Sequence, residues 1–317
     1  MPGLFFGIVA EAQNPATVFV NPYPNKTITI PCGTTCTPLT LQAPNIKGTT
    51  DYLVSDLAYL PFAYLGGGAT DNNIIIDDKY SVHIPFPFAF SWCFFGVDYP
   101  EFVVGTNGVV TFDVTNSALS NAYPLQTSGG TPIPIPYAGG SPNQISPAYY
   151  PKASIMGPYH DIMPDADAAT ADTRIEWRVE GTAPRRRFVI SYNSIPYFDT
   201  DCEHLTATHQ MVLYENTGII EIYIKDKPVC TEWNGGLAIL GLQDHTRTKA
   251  VPVPGKNATV WGETGMDSAW RFTPSGGVSR FKRAQLLVNN VVIATNTTDT
   301  STVAASPRGR RPHNSLS

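Results

Sequence analysis

Two short runs of β-branched and aromatic residues, 102–104 and 109–112, enclose Thr106-Asn107-Gly108. Asn and Gly tolerate the positive φ that a tight reversal demands, so an Asn-Gly pair between such runs predicts a β-hairpin. The pattern recurs: residues 210–215 and 219–225 alternate apolar and polar on either side of Thr217-Gly218, a second hairpin. The segment 86–95, FPFAFSWCFF, is apolar on both faces and suits a sandwich interior. Strand-like runs also occur at 153–156, 173–179, 188–192 and 237–243. Nowhere does a helix-length stretch carry a period of about 3.6 residues. The expected class is all-β, a β-sandwich of two mainly antiparallel sheets with long loops. Residues 116–150 include PIPIPYAGGSP, whose alternate prolines cannot donate to a sheet ladder, so this segment is expected as a surface loop.

Charge narrows the possible partners. Only 15% of residues are charged and the formal net charge is −5, with no basic stripe interleaved with aromatics, so nucleic acid is not an expected partner. Arg185-Arg186-Arg187 reads as a solvated turn entering a strand. No apolar run approaches the ~18 residues needed to span a bilayer. The start, MPGLFFGIVAEAQNP, resembles the end of a secretory signal. A short apolar stretch leads into Ala10-Glu11-Ala12, a small-x-small pattern before a cleavage point at Gln13. The chain is therefore expected to be secreted or displayed on the outer cell surface.

Five cysteines fit an oxidising compartment. Cys32 and Cys36 are close enough for a small loop disulfide, and no second pair at zinc-ligand spacing follows them. Cys202 and Cys230 flank the second hairpin at similar distances from its turn and are expected to bridge its open end. Cys93, in the aromatic run, is left over as a buried thiol or as the partner of a cysteine outside this sequence.

Several segments follow one another in the order of a nidogen-like extracellular domain. Residues 102–112 are similar to the family hairpin in which an Asn-Gly turn leads into V-x-F. Ile155 to Asp161 is similar to its apolar-x-Pro-aromatic-x-Asp segment, 188–193 with 210–223 to its paired strands, and 238–243 to its closing A-x-x-G-x-Q strand. The resemblance spans roughly residues 80–273. The variant is most similar to large exported Bacteroidetes proteins associated with gliding motility and type IX secretion. That likeness rests on Phe94-Phe95-Gly96, Met156-Gly157-Pro158-Tyr159-His160-Asp161, Ala183-Pro184-Arg185, Lys227-Pro228-Val229-Cys230 and Ala269-Trp270-Arg271-Phe272-Thr273-Pro274. The family places such a module near the N-terminus, before Ig-like repeats and a sorting domain. No sorting domain follows here, so a fragment or an early-ended frame is expected. The resulting division is a signal remnant at 1–12, N-terminal strands and linker at 13–80, and the nidogen-like sandwich at 81–275. The start of an Ig-like module at 276–305 and a disordered tail at 306–317 complete it.

Three chemistries compete for the loop after Ile155. Asp161, Asp165, Asp167 and Asp172 supply hard oxygen ligands in one acidic segment, as calcium prefers, although the EF-hand order is absent. His160-Asp161, with Glu176 nearby, also suits an acid/base pair, and a merely solvated acidic loop is the default reading ahead of both. No G-x-S-x-G elbow supplies a nucleophile. Loop aromatics offer another surface: Tyr149, Tyr150, Tyr197, Trp233 and Trp261 are expected in loops, where rings stack on sugars or anchor a protein. The leading expectation is a non-catalytic exported module for adhesion or extracellular protein and matrix contact. A carbohydrate-binding module using loop aromatics, with calcium as a possible cofactor, comes second and a hydrolase third.

Overall fold

The computed structural model describes residues 6–12, 17–18, 37–42, 48–87, 90–139, 150–183, 185–215, 217–278, 281–288, 291–297 and 300–305. The chain divides into two compact units, Gly48–Gly277 and the paired flanks Met1–Lys47 with Val278–Ser317. In the flanks, Phe6–Ala12 lies antiparallel to Phe281–Val288, which turns back into Val291–Asn296. The segment expected to begin an Ig-like module thus contains an antiparallel strand pair. Of the residues read as a signal remnant, 6–12 form a strand here. Cys32, Cys36 and the tail 306–317 lie outside the described residues.

Gly48–Gly277 is the expected sandwich. One six-stranded antiparallel sheet runs Ala250–Val260, Leu237–Gln243, Ser154–Tyr159, Val109–Thr111, Glu101–Gly105, Ile84–Pro85. The other runs Arg174–Glu180, Arg187–Pro196, Thr206–Tyr214, Ile220–Lys227, Glu263–Ser275, Asp51–Asp56. Alternation sends Phe102, Val104, Val110, Ile155, Leu240 and Leu242 inward from the first sheet, against Ile190, Tyr192, Met211, Leu213, Ile222 and Phe272 of the second. Phe86, Trp92, Phe94 and Phe112 close one side as a cluster of tilted and stacked rings, as the FPFAFSWCFF run predicts. Cys93, expected to be buried, is only half-buried in Trp92–Phe94, and its carbonyl accepts the Tyr52 hydroxyl.

Both sheets are covered on their outer faces as well, and here the structure departs from expectation. Val103, Val109, Met156 and Ile239 point away from the central core and are buried by Leu125, Ile133 and Ile135. The segment expected as a surface loop at 116–150 therefore includes a packed layer. Its prolines bar it from a ladder but leave its isoleucines free to bury. On the second sheet, Val189, Val212 and Tyr223 are covered by Leu57, Tyr59 and Phe62. The Gln210 side chain exchanges hydrogen bonds with the Phe62 backbone at 2.9 and 3.2 Å. Asp51–Asp56 forms an edge of that sheet, paired from Asp51↔Ser275 to Asp56↔Trp270. The compact unit thus begins at Gly48 rather than at residue 81. Residues 48–80 carry no strong hydrophobic period because much of this stretch packs as irregular chain.

The imidazole of His209 is fully buried and stacks on Tyr192 at 4.3 Å, with neither ring nitrogen hydrogen-bonded. Burial pushes its pKa down to about 3. The folded pKa lies below the unfolded one, so the unfolded chain binds the extra proton between about pH 6.5 and pH 3, and stability is lost as pH falls through that window. Asp77 and Asp78, whose folded pKa values are raised to about 6 and about 7, act in the opposite direction as pH falls. A difference measurement isolates the histidine. Between pH 7 and pH 5, His209→Leu should lose about 2 kcal/mol less urea stability than the parent. Equal losses in the two proteins would refute this assignment.

Candidate functional site

The Asn-Gly turn does more than reverse the chain. Asn107 is fully buried, and its Nδ2 donates to Asp78 Oδ1 at 2.7 Å while its Oδ1 accepts the Ile162 backbone N–H at 3.1 Å. Its backbone N–H donates to Asn121 Oδ1 at 2.9 Å. Gly108 has φ +75°, and its carbonyl accepts the Gly157 N–H at 2.9 Å. From across the core, the Tyr192 hydroxyl donates to the carbonyls of Gly105 and Val109 at 2.7 and 3.2 Å. One turn thereby locks the exit of Ser154–Tyr159 to the 71–80 loop. That loop is itself wound around Asp71, whose carboxylate accepts the backbone N–H groups of Asn73, Ile74 and Val82.

This lock brings three carboxylates together. Oxygens of Asp77, Asp78 and Asp161 lie within 4.8 Å of one another. Asp161 is 5% exposed; its Oδ2 accepts the Trp233 indole N–H at 2.6 Å, and its Oδ1 is buried without a partner. Oδ1 of Asp77 is likewise buried and unpartnered. Burial first, then the neighbouring Asp78, holds the Asp161 carboxyl well above the ordinary aspartate range, against the indole bond. Burial and then Asp77 push Asp78 up to about 7, while burial and then Asp165 push Asp77 up to about 6.

Beside Asp161 opens a small cleft lined by His160, Tyr197, Lys227, Cys230 and Trp233 among others. His160 is buried with both ring nitrogens unpartnered, 4.8 Å from the Tyr197 ring. Burial, then Lys227 and His209, hold its pKa well below the ordinary value. Lys227, also buried, donates to the Trp261 carbonyl at 2.9 Å and is pushed down to about 7 by burial and then by Lys256. The Cys202–Cys230 disulfide forms as expected, with a sequence separation of 28, and carries the loop that bears Trp233. Trp233 is half-buried, with the half-buried rings of Tyr123 and Phe198 at 6.1 and 4.9 Å.

The sequence candidates fare unevenly. Asp161 is central, but Asp165, Asp167 and Asp172 are exposed and do not gather around it. Only Asp165 touches the cluster, where its carboxylate accepts the Asp77 N–H at 3.0 Å. The loop following Asp161 turns outward, so proximity in sequence is not proximity of carboxylates. Tyr150 is a core residue whose hydroxyl donates to the Ile133 carbonyl, and Trp261 is a core residue whose indole donates to the Ala238 carbonyl. Tyr197 is buried and donates to the Pro228 carbonyl, leaving only its ring at the cleft. Tyr149 lies outside the described residues. Trp233 alone of the five aromatics retains a half-exposed ring in the described structure. Asp77, Asp78 and Tyr123 were not anticipated; an adjacent acidic pair in a loop is a signal for them, but a weak one.

A family model described as NIDO related matches residues 51–283. No curated protein and no solved structure matches the chain.

Proposed function

The chain belongs to the NIDO-related family, an extracellular-type domain, and on that premise we propose that it is a non-catalytic binding module for adhesion to an extracellular protein or matrix. Its setting would be a larger exported surface protein of the gliding-motility-associated, type IX-secreted kind that its sequence resembles. The observation that carries the reading is the half-exposed Trp233, flanked by Tyr123 and Phe198 and oriented by Asp161. An aromatic anchor held by a buried acceptor is pre-organised for contact and loses little entropy on binding. The disulfide beneath it suits an oxidising exterior. Asp161 is engaged by an indole rather than by His160, which supports a positioning role over acid/base work.

The same ring cluster favours a second reading, a glycan-binding surface, because faces of Trp, Tyr and Phe stack on sugars. The full chain, immobilised and presented with arrayed matrix proteins and glycans, tests both. Saturable binding to one class is expected, weakened at least about tenfold by Trp233→Ala. Protein ligands support the first reading and glycans the second. Turnover of glycosides or esters, abolished by Asp161→Asn, would defeat both in favour of a hydrolase.

A further inference from the structure

We propose that Asp77, Asp78 and Asp161 form a binding site for a hard divalent cation, calcium above all. It would pin the 71–80 loop to the exit of Ser154–Tyr159. The three carboxylates converge from two distant parts of the sequence to within 4.8 Å. Clustering alone would mean little, since acidic groups often meet at a surface. These differ because two of their oxygens are sealed from solvent and lack a hydrogen-bond donor. Asp161 Oδ1 belongs to a side chain that is 5% exposed, and Asp77 Oδ1 is buried as well. The remaining oxygens with assigned partners already face fixed donors: Asp161 Oδ2 the Trp233 indole and Asp78 Oδ1 the Asn107 amide. Among the described residues, no salt bridge reaches any of the three carboxylates.

Burying a carboxylate oxygen without a donor is costly, and the three carboxylates, once ionised, repel one another. A cation removes both costs at once. Calcium takes six to eight oxygens in flexible geometry, so three carboxylates plus water and the rim carboxylate of Asp165 suit it. No cysteine or histidine belongs to the cluster, which disfavours softer metals. Of the set that the sequence suggested, Asp161, Asp165, Asp167 and Asp172, this site keeps Asp161 and the rim Asp165 and adds Asp77 and Asp78, and it stands whether or not the domain is an adhesin. If the adhesion reading also holds, the ion would fix Asp161 and through it the Trp233 ring.

The test uses the full chain freed of metal with a chelator. Calcium chloride is titrated in with thermal unfolding as readout, and terbium is used as a luminescent stand-in excited through tryptophan, since Trp233 adjoins the site. At about a hundredfold excess over Kd, calcium should raise Tm by roughly 5–10 °C. Terbium luminescence should appear and be displaced by calcium. Asp78→Asn, which can still accept the Asn107 amide, should abolish both effects, with Asp77→Asn as an independent second variant. Asp167→Asn/Asp172→Asn should leave both unchanged. No shift and no luminescence up to 10-millimolar-scale calcium, on the order of the weakest extracellular sites and beyond, would overturn the proposal. So would effects that survive Asp78→Asn and Asp77→Asn but vanish in Asp167→Asn/Asp172→Asn. Loss of array binding with calcium binding intact would count against the adhesion reading alone.

Discussion

Gly108→Ala is expected to remove about 4 kcal/mol or more of folding stability, a large share of what a domain possesses. Two costs combine. At φ +75° an L-residue is strained. A Cβ there would also sit 1.9 Å from the Pro158 carbonyl oxygen, a backbone atom that cannot swing aside. Relieving the clash means moving the 157–162 segment. That move would break the Gly157 N–H to Gly108 carbonyl bond and the Asn107 contact to Ile162. Gly130 provides the control, because it has a similar φ of +79° but nothing within 4 Å of its would-be Cβ. Gly130→Ala should therefore show the backbone strain alone, about 1 kcal/mol. Urea unfolding of the two variants checks the claim, which fails if their losses agree within experimental error.

Removing the Cys202–Cys230 bridge should cost about 3–4 kcal/mol. The separation of 28 residues sets the loop entropy that the bridge withholds from the unfolded chain. For a unit of this size the loss corresponds to a fall of roughly 10 °C in Tm, measured on Cys202→Ala/Cys230→Ala against the oxidised parent. Both half-cystines are buried, so alanine leaves a small cavity but no stranded charge. A double variant that melts with the parent would show that the bridge merely records proximity.

The hairpins at 101–111 and 206–227 are legible in the sequence because their information is local: alternation, a turn residue and flanking β-branched chains. The disulfide is legible for a related reason, since the hairpin between its cysteines brings them level. The two outer layers are not legible. Leu125, Ile133 and Ile135 sit among prolines that mark the segment as unable to join a sheet, and nothing local says that it lies on one. The acidic site is hidden for the same reason. Asp161 is conspicuous within its acidic loop, but its neighbours come from the 71–80 loop through the Asn107 side chain. That contact depends on how strands distant in sequence are ordered. Tyr150 and Trp261 show the converse error, in which an aromatic next to turn-forming residues looks exposed although its ring faces the interior.

The register of Glu263–Ser275 has a spatial consequence. At one end Ser275 lies opposite Asp51, so the chain enters and leaves the sandwich side by side. At the other end Glu263 lies opposite Lys227, which borders the cleft. A strand of that length extends roughly 35–40 Å. The two chain ends of the sandwich therefore meet at one end of this strand, and Lys227 of the cleft pairs with its other end. A unit whose ends lie side by side can be spliced into a loop of a host protein without spreading the host's backbone.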